Sequence, residues 1–223
     1  MSHIHSRHSL DTQGKGARAA EPSIAATLLA DHAAGRHREV ATAAIRAYGP
    51  EILGFLAAML RDEDAARDVF SQFCEDLWTG LPRFRGDCSL RTWAYTVARN
   101  AASDYRDSAH NRRRCAISEC PEILEAAEAA RTTTLAYLRT EVKDRVAAMR
   151  DRLHPEDQTM LILRIDRGMS FNDIARVTLG DVAPEDGAAL ARKSAALRKR
   201  FERIKAELRS LVRAGETQPA PAG

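Results

Sequence analysis

Aromatic side chains are scarce in this chain, only 5 % of 223 residues, and Val, Ile and Thr are outnumbered by Ala, Arg and Leu. That balance disfavours sheets, which draw on β-branched and aromatic residues, and predicts an all-α fold. The four cysteines, Cys74, Cys88, Cys115 and Cys120, contain no Cys-x-x-Cys pair, and no secretory signal precedes them. Neither a disulfide scaffold nor a zinc ribbon is expected. No apolar run reaches the roughly 18 to 20 residues that cross a bilayer, and the N-terminus lacks an apolar leader core, so the sequence reads as a soluble protein of a reducing cytoplasm. The acids are dispersed along helices rather than gathered near a basic face, so no catalytic motif and no metal site is found, and no enzyme activity or cofactor is expected.

What the chain does contain is enough apolar material for a core, 44 % hydrophobic residues, and abundant charge, 29 %. The net charge of +3 says little about partners, whereas its distribution says more. Arg61 to Asp76 holds six acids against two bases, Arg83 to Arg114 eight bases against three acids, and Ala188 to Arg213 nine bases against two. Two basic blocks therefore flank acidic ones, which suits contacts to phosphates at two separated places on one nucleic acid.

Residues 1–22 are polar and without apolar periodicity, and read as a disordered tail. His3, His5 and His8 lie in it with nothing rigid to hold a coordination geometry. Two helical patterns follow up to Leu60, the second with an expected break or kink at Gly49-Pro50. Ala66, Val69, Phe70, Phe73 and Leu77 recur at steps of three and four and form one apolar helical stripe. After the loop "TGLPRFRGDCS", Ser89 is a plausible N-cap for a helix whose inward stripe is Leu90, Trp93, Ala94, Val97, Ala98, Ala101 and Tyr105. Thr92, Tyr95, Thr96, Arg99, Ser103 and Arg106 are then expected on its exposed face. Residues 113–134 have weak periodicity and read as a flexible, partly helical linker. From 135 to 213 three short helices precede a long basic one, a helix-turn-helix pattern that a plain helical bundle would also satisfy. Residues 214–223 are breaker-rich and read as a second disordered tail.

The order of residues in "DEDAARDVFSQFCEDLWTGLPRFRGDCSLRTWAYTVARNAASDYR" resembles region 2 of the sigma-70 family of bacterial RNA polymerase sigma factors, in its extracytoplasmic-function group. "LHPEDQTMLILRIDRGMSFNDIARVTLG" and "LRKRFERIKAELR" resemble region 4 of the same family. The chain departs from the family pattern at Gln158 or Thr159, where an Arg is usual, and in a longer connection between Gly180 and Leu197. The resemblance implies two helical domains, region 2 over 23–112 and region 4 over 135–213. It further implies a non-catalytic subunit that binds core RNA polymerase and directs it to promoter DNA, commonly under an anti-sigma partner.

Residue roles carried over by position are these. Asp68, Gln72 and Glu75 would meet the clamp helices of the largest polymerase subunit. Phe84, Arg85, Gly86, Asp87, Cys88 and Ser89 of the loop, with Thr92, Tyr95, Arg99, Asn100 and Arg106 of the helix, would hold the −10 element, where capture of an unpaired strand needs stacking planes and cations. Arg198, Lys199, Arg200 and Arg203 would contact the −35 element in the major groove. The competing reading, a stand-alone helix-turn-helix regulator, leaves the region 2 resemblance unexplained.

Overall fold

The computed structural model describes residues 14–107, 121–138, 153–180 and 187–216, and among these residues every regular element is helical. The all-α expectation is met. The first set of helices is α1 (Gly14–Ala33), α2 (His37–Leu60), α3 (Glu63–Gly80), α4 (Leu90–Asp107) and α5 (Pro121–Leu138). The second is α6 (Pro155–Leu161), which runs on into a π-helical turn at Ile162–Asp166, then α7 (Phe171–Leu179) and α8 (Gly187–Glu216).

Helix α2 is the axis of the first set and packs against α1, α3, α4 and α5. By length and composition it could cross a bilayer, which the sequence reading had not anticipated of any segment. Its Val40, Ile45, Ile52, Phe55 and Leu56 are instead fully buried against its neighbours, as in the central helix of a bundle. Gly49-Pro50 does not break it: the helix is continuous through Pro50. Gly49 is where α5 crosses, and a Cβ placed there would lie 2.8 Å from Ala130 Cβ.

Helix α3 buries the predicted stripe, with Ala66, Val69, Phe70, Phe73 and Leu77 all inside. Asp62 starts it, Oδ1 accepting from the backbone N–H of Asp64 at 2.9 Å and of Ala65 at 3.0 Å. Those bonds satisfy two of the donors that open any helix.

Two segment expectations change. Helix α1 begins at Gly14, inside the range read as a tail; residues 1–13, with the three histidines, lie outside the described residues. The linker range is in large part helix α5, which lays Ile123, Ala126, Ala127 and Ala130 on α2. Arg131 of α5 donates to Ser71 Oγ at 2.5 Å and sits 6.0 Å over the Phe70 ring. Small side chains let two helices approach closely enough that weak periodicity still buries a face.

In the second set, Ser170 caps α7 and accepts from the Asp173 N–H at 3.1 Å. Pro155 opens α6 at its first turn, where no backbone N–H is needed. Helices α7 and α8 pack against each other and bury Ile174, Val177, Leu197 and Ile204, with the Phe171 and Phe201 rings 5.7 Å apart. The long basic helix thus begins at Gly187.

Candidate nucleic-acid interface

The loop between α3 and α4 is built on an inner anchor. A single 3-10 turn at Leu81–Arg83 leads to Phe84, whose side chain is 7 % exposed and lies between His32 (ring centroids 5.3 Å) and Trp93 (5.2 Å). His32 Nε2 lies 2.9 Å from the Phe84 carbonyl oxygen, so that nitrogen carries the proton and donates it. Phe84 is therefore a support beneath the loop, not part of its surface.

Outside this anchor the chain reverses at Gly86, φ +77°, where a side chain would be strained. Arg85 Nε donates to Asp87 Oδ2 at 3.1 Å across the turn, and both side chains remain more than half exposed. Ser89 then caps α4 as expected, accepting from the Thr92 N–H at 3.0 Å. Cys88 is half-buried, and burial pushes its thiol up despite nearby Arg176. Cys74 is buried and pushed up to about 12, so neither thiol is activated. Cys115 and Cys120 lie outside the described residues.

Helix α4 corrects the expected exposed face. Tyr95 has no exposed surface: its ring meets Phe55 edge-on at 5.3 Å, and the Arg91 guanidinium lies 5.6 Å from its centroid. Burial pushes the Tyr95 phenol up, and the Glu51 carboxylate adds to it, so the ring stays neutral. Arg91 itself is paired with Glu51 through two bonds of 2.7 Å. Thr92 and Thr96 are also buried, at 2 % and 5 % exposed. The reason is that α4 has neighbours on three sides, α2, α3 and α7. A second stripe, Arg91, Tyr95, Ala98 and Ala102 at steps of four, three and four, was present in the sequence and marks this other inward face.

What remains accessible is Arg85, Gly86, Asp87 and Ser89 in the loop and Arg106 on the helix, with Cys88, Arg99 and Asn100 half-buried. A cavity of about 1180 Å³ opens beside them. Arg83, which the reading by position passed over although it stands in "LPRFR", lines it with Arg99 and Asn100, and Arg176 of α7 lines its far wall.

Of the three residues of α3 expected to meet the polymerase, Asp68 is exposed, whereas Gln72 and Glu75 are half-buried. Gln72 Nε2 donates to Asp76 Oδ1 at 2.9 Å, and burial pushes the Asp76 carboxyl up. On α8, Arg198, Lys199 and Arg203 are exposed. Arg200 is not available in the same way. It donates from Nη1 to Glu156 Oε2 at 2.8 Å and from Nε to Asp157, tying α8 to α6, and it holds the Glu156 carboxyl below its ordinary range. An Arg one position from its basic neighbours on a helix points some 100° away from them, which is why a run of bases does not make one face.

The model of sigma-70 region 2 matches residues 44–112, from within α2 to just beyond α4. An RNA polymerase sigma-H factor from Pseudomonas aeruginosa is 31 % identical over 136 residues, covering 58 % of this chain and 70 % of that protein. The RNA polymerase sigma factor YlaC from Bacillus subtilis is 28 % identical over 178 residues, 78 % of this chain and 99 % of that protein. No solved structure matches the chain significantly. The region 2 match over α2 to α4 and the extent of the shared sequence mean that this chain belongs to the sigma-70 family of RNA polymerase sigma factors, the proteins that direct transcription initiation.

Proposed function

We propose that the chain is a promoter-specificity subunit of the extracytoplasmic-function group, without catalytic activity of its own, working in the cytoplasm with core RNA polymerase. In this reading α1 to α5 form the region 2 domain and α6 to α8 the region 4 domain. The acidic face of α3 around Asp68 and Glu75 meets the clamp helices of the largest polymerase subunit, and Gln72 supports that face through Asp76. Arg85, Gly86, Asp87, Cys88 and Ser89 receive an unpaired base of the −10 element, while Arg99, Asn100 and Arg106 follow its backbone. Thr92 is reached only when α7 is away. Arg198, Lys199 and Arg203 contact the −35 element, with Arg200 bracing the helix that carries them. An anti-sigma partner would act by covering these faces.

The observation that carries the reading is the exposed Arg85–Asp87 pair at a glycine turn, held from below by Phe84 and His32. A rigid loop presenting a guanidinium plane and a carboxylate can stack on an extruded base and accept from its edge. Replacing Arg85 or Asp87 with Ala should slow open-complex formation about tenfold, roughly 1.4 kcal/mol, while core-polymerase binding and folding stay unchanged. Permanganate footprinting of the start-site bubble and a core-binding assay read the two effects separately. Wild-type opening by both variants would remove this loop from the promoter contacts.

A further inference from the structure

A second, smaller cavity of about 100 Å³ is lined from α2, α4, α6, α7 and α8. Its walls belong to one body, because the buried residues of α1 to α5 and of α6 to α8 join in a single apolar core. Four bases line it, Arg99 and Arg106 from α4 and Lys193 and Arg200 from α8. Glu156 of α6 faces them. With Asp157, which holds Arg200 from behind, it neutralises two of the four bases and leaves an excess of two positive charges.

The hydrogen bonds show which of these groups are occupied. Arg200 is tied to Glu156 and Asp157, and Arg106 Nη2 donates to the Met59 carbonyl at 2.6 Å. Thr159 and Thr178 turn their hydroxyl protons onto their own helices, to Pro155 O at 3.0 Å and Ile174 O at 2.9 Å. Arg99, Lys193 and Ser103 have no hydrogen-bond or ion-pair partner among the described residues. The two cations are half-buried. Like charges gathered in a partly desolvated pocket repel one another, and an anion seated between them removes that cost.

Size and surroundings narrow the class of anion. A space of about 100 Å³ suits one tetrahedral oxyanion and has no room for an organic body. Arg99 and Ser103, however, also line the cavity of about 1180 Å³, so the two spaces adjoin at these side chains. In the larger one Trp93, Val97 and Leu190 supply apolar wall, and the Asp76 and Asp104 carboxylates accept hydrogen bonds. A cationic end that opens onto apolar wall and acceptors complements a phosphate ester whose body carries a flat ring and N–H or O–H donors. We infer that the two spaces form one binding site for a nucleoside phosphate, with the phosphate at Arg99, Ser103 and Lys193 and the nucleoside in the larger cavity. Lys193 belongs to neither promoter contact proposed above. Arg99 does, so a bound nucleotide competes with the −10 strand, and that consequence alone rests on the −10 placement.

Titration calorimetry of the full chain with adenosine monophosphate and with inorganic phosphate, at one ionic strength, tests the site with two probes that share the anionic group. The site predicts one nucleotide per chain, bound about tenfold or more tighter than phosphate. Lys193→Gln is expected to weaken nucleotide binding about tenfold, the effect of one charge-assisted hydrogen bond, and Ser103→Ala to weaken it in the same direction. Arg209→Gln, which removes an exposed charge of α8 outside the pocket, leaves it unchanged. Circular dichroism verifies helix content, and if Lys193→Gln loses it, the exposed Ser103 carries the test. Absence of nucleotide binding, or equal weakening by Lys193→Gln and Arg209→Gln, overturns the site. Phosphate bound as tightly as the nucleotide overturns the ligand class. Fluorescence anisotropy with a mixed-sequence single-stranded DNA of about 12 nucleotides then reads the competition. Displacement of the DNA by the nucleotide upholds the sharing of Arg99, whereas nucleotide binding without displacement upholds the site and overturns the −10 placement of Arg99.

Discussion

Replacing Gly49 with Leu is expected to destabilise the protein by about 3 kcal/mol or more, because it forces α5 off α2. A Cβ at this position already falls 2.8 Å from Ala130 Cβ and 3.4 Å from Phe70 Cζ, so the neighbour that must yield is a helix, not the end of a flexible side chain. Displacing α5 also exposes Ile123, Ala126 and Ala127, and detaches Arg131 from Ser71 and Phe70. Gly49→Ala gains roughly 0.5 to 1 kcal/mol of helix propensity. That gain is offset by the contact with Ala130, and the net effect should still be a loss. Urea unfolding checks both variants. A leucine variant as stable as wild type would mean that α5 does not pack at this distance.

Tyr95→Ala is expected to cost about 3 to 5 kcal/mol, the range for truncating a fully buried aromatic. The ring fills the space between Phe55 and the Arg91–Glu51 pair, and removing it leaves both without cover. A surface tyrosine on a DNA-binding face would instead change stability by within about 0.5 kcal/mol. The same urea titration therefore decides between an inward and an outward Tyr95. Wild-type stability together with lost promoter binding would restore the exposed face that helical phase alone suggests.

That tyrosine shows where sequence reasoning succeeds and where it stops. Helix α3 was legible because its buried face follows one stripe: all five residues at steps of three and four are inside, with Ala65 and Cys74 buried beside them. Helix α4 is enclosed on three sides, so its true pattern is two stripes, and reading one of them sent Tyr95, Thr92 and Thr96 to the wrong side. The cap at Ser89 and the exposed turn around Gly86 were legible because both are local, set by a hydroxyl at a helix start and by a glycine at positive φ. Arg200 was not, since its partners Glu156 and Asp157 lie more than forty residues away and no local pattern announces them. The packing of α5 on α2, though not its partial helicity, escaped for a related reason: an alanine face carries little hydrophobic signal, yet it lets two helices approach until Gly49 is the residue that fits. The Thr92–Asp173 bond, between residues 81 apart, belongs to the same class of nonlocal feature.

The central claim is that this chain supplies promoter specificity to RNA polymerase, and run-off transcription reconstituted from core polymerase, the purified chain and genomic promoter fragments tests it most directly. The account predicts that the chain co-elutes with core polymerase and yields discrete transcripts, each starting downstream of a shared pair of −35 and −10 sequences, that core polymerase alone does not make. A chain that binds DNA but neither associates with core polymerase nor changes its products would contradict it.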